Sequence, residues 1–156
     1  MREDVAHKIS IIIEARMPSP RKSVLRNAAE KTLEMEGVRK EVSLNILFTD
    51  NTKIALLNRK FLMRDGPTDV IAFGSRNRRC ADTSLGGFIG EVVVSVEMAR
   101  SNARYFNTPV DEEVILYVIH GILHLLGYGD KTKKEAGLIQ AKQRKILEHI
   151  CGKTIL

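Results

Sequence analysis

Asp69-Val70-Ile71-Ala72-Phe73 and Phe88-Ile89-Gly90-Glu91-Val92-Val93-Val94-Ser95-Val96 are two apolar runs, and the segment between them decides the fold class. Their length and β-branched content suit strands. The connecting stretch, Gly74 to Gly87, is polar and basic, carries Arg76-Asn77-Arg78-Arg79, and reads as a loop. Parallel neighbours are joined by a crossover, usually a helix, and this link leaves no room for one. Strands and helices interleave elsewhere. The expected architecture is therefore α+β, with a mixed sheet flanked by helices.

The N-terminal half supplies more of that sheet. His7 to Ala15 contains Ile9-Ser10-Ile11-Ile12-Ile13, a strand composition. Val42, Leu44, Ile46 and Phe48 alternate with polar or small residues, the period-two pattern of a strand with one covered face. Between them, Val24, Leu25, Ala28, Ala29, Leu33 and Met35 recur at near-helical spacing until Gly37. Thr49-Asp50 can cap a second helix whose stripe is Ile54, Leu57, Phe61 and Leu62, broken by Asp65-Gly66-Pro67. After the second apolar strand, Thr108-Pro109 offers an N-cap and a proline at the first helical position. Asp111, Glu112 and Glu113 then place negative charge at the positive end of the helix dipole. That helix runs toward Gly127. A last helix, Lys133 to Ile150, sets Ala136, Ile139, Ile146 and Leu147 among lysines, as expected of a surface helix covering the core.

A chain of 156 residues with 44% hydrophobic content fits one domain, residues 1–156, with a real core. No apolar run approaches the roughly 20 residues needed to span a bilayer. The charged N-terminus lacks the pattern of a signal peptide, so the cytoplasm is the expected location. Cys80 and Cys151 are far apart and form no Cys-x-x-Cys pair, so both read as plain thiols. Twenty-five Lys and Arg against nineteen Asp and Glu give a net charge of +6, compatible with a polyanionic partner. His7 and His149 read as ordinary solvated histidines.

Chemistry concentrates near the C-terminal end of the helix that starts at Thr108-Pro109. His120 and His124 are four residues apart, so both imidazoles leave one helix face, about 40° apart in rotation. Gly127 can adopt the left-handed conformation that ends a helix, turning the chain at Tyr128-Gly129 so that Asp130 approaches that face. His120-x-x-x-His124-x-x-Gly127-x-x-Asp130 has the spacing of the metzincin zinc motif with an aspartate as third ligand. One zinc ion held by His120, His124 and Asp130 keeps a fourth position for a water that ionises near neutral pH, the arrangement of a catalytic site. A carboxylate in place of a third imidazole lowers the net charge and makes that water less acidic. Gly121 stands where zinc peptidases carry their general-base glutamate, which turns the expected chemistry away from peptide hydrolysis.

His120-Gly121-Ile122-Leu123-His124-Leu125-Leu126-Gly127-Tyr128 resembles the signature of the YbeY family, metal-dependent endoribonucleases of ribosomal RNA maturation. Leu57-Asn58, Pro67-Thr68-Asp69-Val70 with Phe73, and Gly90-Glu91-Val92 through Ser95 resemble that family's other motifs in order. The resemblance implies a zincin-like fold with the metal site on a helix and its following turn. It also implies a single-strand-specific endoribonuclease acting on precursor rRNA, in 16S 3′-end maturation and ribosome quality control, with the ribosome or small-subunit proteins as partners. The family's usual Gly-Tyr-Asp-His ending is Gly127-Tyr128-Gly129-Asp130 here, so an ungapped alignment puts Asp130 at the third histidine. Leu62 stands at a family arginine, leaving Arg59, Arg64, Arg76, Arg78 and Arg79 as candidate phosphodiester-binding residues. The alternatives are a ribosome-associated binding factor with a structural metal, and another zinc hydrolase such as a peptidase.

Overall fold

A computed structural model describes residues 5–74 and 83–152. In chain order the elements are β1 (Lys8–Ile13), α1 (Lys22–Met35), β2 (Val42–Thr49), α2 (Asn51–Leu62), β3 (Val70–Gly74), a 3-10 turn (Thr83–Leu85), β4 (Gly87–Ser95), α3 (Val96–Phe106), α4 (Val110–Leu125) and α5 (Lys133–Cys151). The four strands form one sheet in the order β1-β2-β4-β3. β1, β2 and β4 are parallel, and β3 pairs with β4 antiparallel. The sheet is therefore mixed, as the short polar link between the β3 and β4 sequences leads one to expect.

Alternation along the strands separates two cores. Leu44, Ile46 and Phe48 of β2 share one face with Val92 and Val94 of β4 and pack into the large cluster with α1, α4 and α5. Leu47, Val93 and Ile71 point the other way and are covered by Ile54 and Leu57 of α2. The stripe expected of α2 is therefore only half realised: Ile54 is buried, whereas Phe61 and Leu62 are 55% and 43% exposed. The N-cap is as expected, with Lys53 N–H donating to Asp50 Oδ1 at 2.8 Å, and the helix stops at Met63 in the left-handed region.

α4 is apolar on nearly every side, with Val114, Ile115, Tyr117, Val118, Ile119, Ile122, Leu123 and Leu125 all buried. Such a helix belongs in the interior. It packs between α1, α3, α5 and the sheet. Gly121 lets it approach β4 closely, since a Cβ there would lie 2.4 Å from Val92 Cγ1. The register shift between Ser43 and Leu44 in the β2–β4 pairing falls opposite Phe88 and Gly90. Gly90, at φ 147°, leaves no room for a side chain: a Cβ would sit 2.3 Å from the Phe73 carbonyl oxygen.

Three local expectations are corrected. α4 begins at Val110 with Pro109 as N-cap, and Thr108 Oγ1 donates to the buried Glu113 carboxylate at 2.9 Å instead of capping the backbone. The strand ends at Ser95, because Val96 already opens α3, a helix absent from the sequence reading. His7 is more than a solvated histidine, since its Nδ1 accepts the Val42 N–H at 3.1 Å. Cys151 is half-buried against the large core, and Cys80 lies outside the described residues. No described helix is long and apolar enough to cross a membrane.

Candidate metal centre

α4 ends in a complete Schellman turn. Gly127 takes φ 103°, its N–H donates to His124 O at 3.0 Å, and Tyr128 N–H donates to Leu123 O at 3.1 Å. This closure satisfies terminal helix carbonyls and reverses the chain. It also aims the Tyr128 carbonyl back at the helix, 2.8 Å from His124 Nδ1. A carbonyl only accepts, so His124 carries its proton on Nδ1 and leaves Nε2 bare.

His120 Nδ1 donates to Gln143 Oε1 at 2.8 Å, which leaves its Nε2 bare as well. The two Nε2 atoms then face each other at 2.9 Å, and Asp130 Oδ2 lies 3.6 Å from His124 Nε2. One donor atom from each of His120, His124 and Asp130 falls within 4.8 Å of the others. Zn–N and Zn–O bonds of about 2.0–2.2 Å allow two donors on one ion to be no more than about 4 Å apart, and both short separations meet that limit.

The electrostatics point the same way. Burial, the first cause, and the neighbouring His120 push the His124 pKa below its ordinary value, against smaller opposing effects from Asp130, the Tyr128 backbone and Asp69. The imidazole is therefore neutral near pH 7, and its approach to Asp130 is not an ion pair there. The two Nε2 lone pairs and the Asp130 carboxylate converge on one point. A cation relieves that repulsion, so the donor set fits a divalent ion of borderline softness.

Asp130 is the most exposed of the three, and its turn is held from α5. Lys131 N–H donates to Glu135 Oε2 at 3.1 Å, while Glu135 N–H donates to Thr132 Oγ1 at 3.1 Å. Thr132-x-x-Glu135 is thus a helix-start signal in which the glutamate holds the loop N-terminal to its helix. That signal was present in the sequence and went unread. Gln143, equally unread, carries no local pattern that could have announced it.

The arginines are less concentrated. Arg59 lies on α2, on the opposite face of the sheet from α4, and is ion-paired to Asp65. Arg64 is exposed just beyond α2, with its N–H donating to Asn58 O at 3.3 Å. No hydrogen bond or ion pair joins either to the triad among the described residues. Arg76, Arg78 and Arg79 lie outside the described residues.

Fold and site together define an α+β protein whose central helix and following turn bring together a three-donor cluster suited to one cation. The model of the Endoribonuclease YbeY family matches residues 12–151, and the chain belongs to that family. The protein named Endoribonuclease YbeY from Bacillus mycoides is 30% identical over 131 residues, covering 81% of this chain and 84% of that one. Its namesake from Bacillus cytotoxicus is 31% identical over 130 residues, covering 80% and 83%. The solution structure of TM1509 from Thermotoga maritima superposes with a TM-score of 0.63 at 31% identity, covering 92% of this chain and 89% of that one.

Proposed function

We propose that the chain is a cytoplasmic, single-domain endoribonuclease with a zincin-like arrangement, holding one zinc ion through His120, His124 and Asp130. Its substrate is single-stranded precursor ribosomal RNA, including the 3′ end of 16S rRNA, and it acts with the ribosome in maturation and quality control. The observation that carries this reading is the convergence of His120 Nε2, His124 Nε2 and Asp130 Oδ2 in a member of an endoribonuclease family.

When bound, the ion would supply Lewis-acid polarisation of a phosphoryl oxygen and activation of water near neutral pH. The chain's own residues prepare for it. Tyr128 O keeps the His124 proton on Nδ1, and Asp130 provides the negative charge that offsets a dication. The chain's positive charge favours a polyanion, with Arg59 and Arg64 as described candidates for contacts to the RNA backbone away from the metal centre.

A peptidase reading is disfavoured by position 121. A Cβ there would meet Val92 and Val70, so this side of α4 faces the sheet and has no space for a catalytic glutamate. A purely structural metal predicts a chain that unfolds without zinc and cuts no RNA. The test compares the natural protein with His124→Ala and Asp130→Ala for zinc content, cleavage of single-stranded RNA and folding. Both variants should stay folded, lose zinc and lose cleavage. Undiminished cleavage by a zinc-free variant would overturn the proposal.

A further inference from the structure

Each imidazole needs a partner on Nδ1 if its Nε2 is to be offered to a cation, and the two are served differently. His124 finds its partner in the turn that ends its own helix. His120 sits one turn earlier, where the helix backbone carbonyls are already engaged, and its partner is the Gln143 amide of α5, 2.8 Å away. α5 reaches the third donor too. The Glu135 carboxylate accepts the Lys131 N–H, so it holds the residue after Asp130, and it packs against Gly129, the residue before, 2.8 Å from where a Cβ there would be.

α5 is itself fixed by packing. Ile139, Ile146 and Leu147 are buried in the large core, and Lys142 Nζ reaches Glu36 Oε2 at 3.2 Å, so the position of Gln143 is set by the docked helix. We infer that α5 is the positioning element of the metal centre and that Gln143 is its deciding residue: the amide oxygen holds the His120 proton on Nδ1 and so presents Nε2 to the ion. This rests on the zinc reading above and deepens it. Gln143 acts through His120, as an outer-shell hydrogen bond that fixes ring orientation and raises ligand basicity.

The test is a chelator-competition titration of zinc affinity on the natural protein, Gln143→Leu, Gln143→Met and Gln143→Glu, with melting of each metal-free protein alongside. Gln143→Leu and Gln143→Met should lose about 10–100-fold in zinc affinity while melting like the natural protein. Gln143→Glu should retain it, because its carboxylate accepts the same N–H. A merely space-filling role would be met by Leu or Met and would gain nothing from Glu. Apolar variants that bind zinc as tightly as the natural protein, or a Glu variant that loses as much as they do, would overturn the inference. A second measurement needs no variant: the zinc-loaded natural protein should show a slowly exchanging His120 Nδ1–H in nitrogen-resolved NMR, and its absence overturns the inference equally. Failure of the natural protein to bind zinc at all would instead sink the reading on which this one rests.

Discussion

Replacing Gly121 by alanine sets two effects of known sign against each other. Alanine favours a helix interior over glycine by about 0.8–1 kcal/mol. The added methyl, however, would lie 2.4 Å from Val92 Cγ1, 3.0 Å from Val92 Cγ2 and 3.2 Å from Val70 Cγ2. Rotating Val92 offers no escape while both its methyls crowd the same point, and Val92 is fully buried, so α4 has to lift from the sheet. Overpacking of this kind costs about 1–3 kcal/mol, and the severity of the contact places it at the upper end. The net effect is a destabilisation of about 1–2 kcal/mol, which for a chain of this size lowers the melting temperature by roughly 2–8 °C. Gly121→Glu, which would restore the peptidase-type motif, should melt lower still and gain no peptidase activity, because its carboxylate would be driven into the β4 face. Thermal melts of both variants beside the natural protein check this. A Gly121→Ala protein that melts at or above the natural one would refute the close α4–β4 approach.

Three further outcomes follow from the site. The His124 pKa is depressed in the folded state, so metal-free protein holds the associated stability above the unfolded value near 6.5 and loses it as pH falls through that value toward the folded pKa. Melting of metal-free protein from pH 8 to 5 should show this loss, and His124→Ala should blunt it; identical profiles would contradict the assignment. Asp130→His removes one negative charge from the cluster, so the low-pH limb of the pH–rate profile, set by ionisation of the activated water, should move to lower pH than in the natural enzyme, and an unchanged limb would count against Asp130 as a donor. Arg64→Ala should weaken binding of single-stranded RNA and reduce the salt slope by about 1. Arg59→Ala should do less, because Asp65 already pairs with that guanidinium; equal effects would argue against the pairing in solution.

The parts of this molecule that were legible in sequence are those governed by neighbours in the chain. His120 and His124 share a face because four residues nearly complete a helical turn, and Gly127 ends the helix because only glycine enters φ 103° without strain. The mixed sheet followed from the sequence between β3 and β4, which is too short and polar to offer a crossover helix. α3 escaped notice because its cap, Ser95, is also the last residue of β4, and its buried face is only Val96, Ala99 and Ala103. The exposure of Phe61 and Leu62 depends on how far α2 overlaps the sheet, which periodicity does not encode. Gln143 lies 23 residues from the histidine it orients, and only the docking of α5 brings them together. Asp130 stands between these cases: its approach to the histidines was readable from the turn, but the hold of Glu135 on that turn had to be seen in three dimensions.

A stoichiometric reconstitution tests most directly whether one cation activates one site for RNA cleavage. Protein stripped by chelator and shown to remain folded would be titrated with zinc while cleavage of a single-stranded rRNA fragment is followed. Cleavage should be absent in the stripped protein and rise to a plateau at one zinc per chain. Full cleavage before any zinc is added, or a folded, zinc-saturated protein that cuts no RNA, would contradict the proposed function.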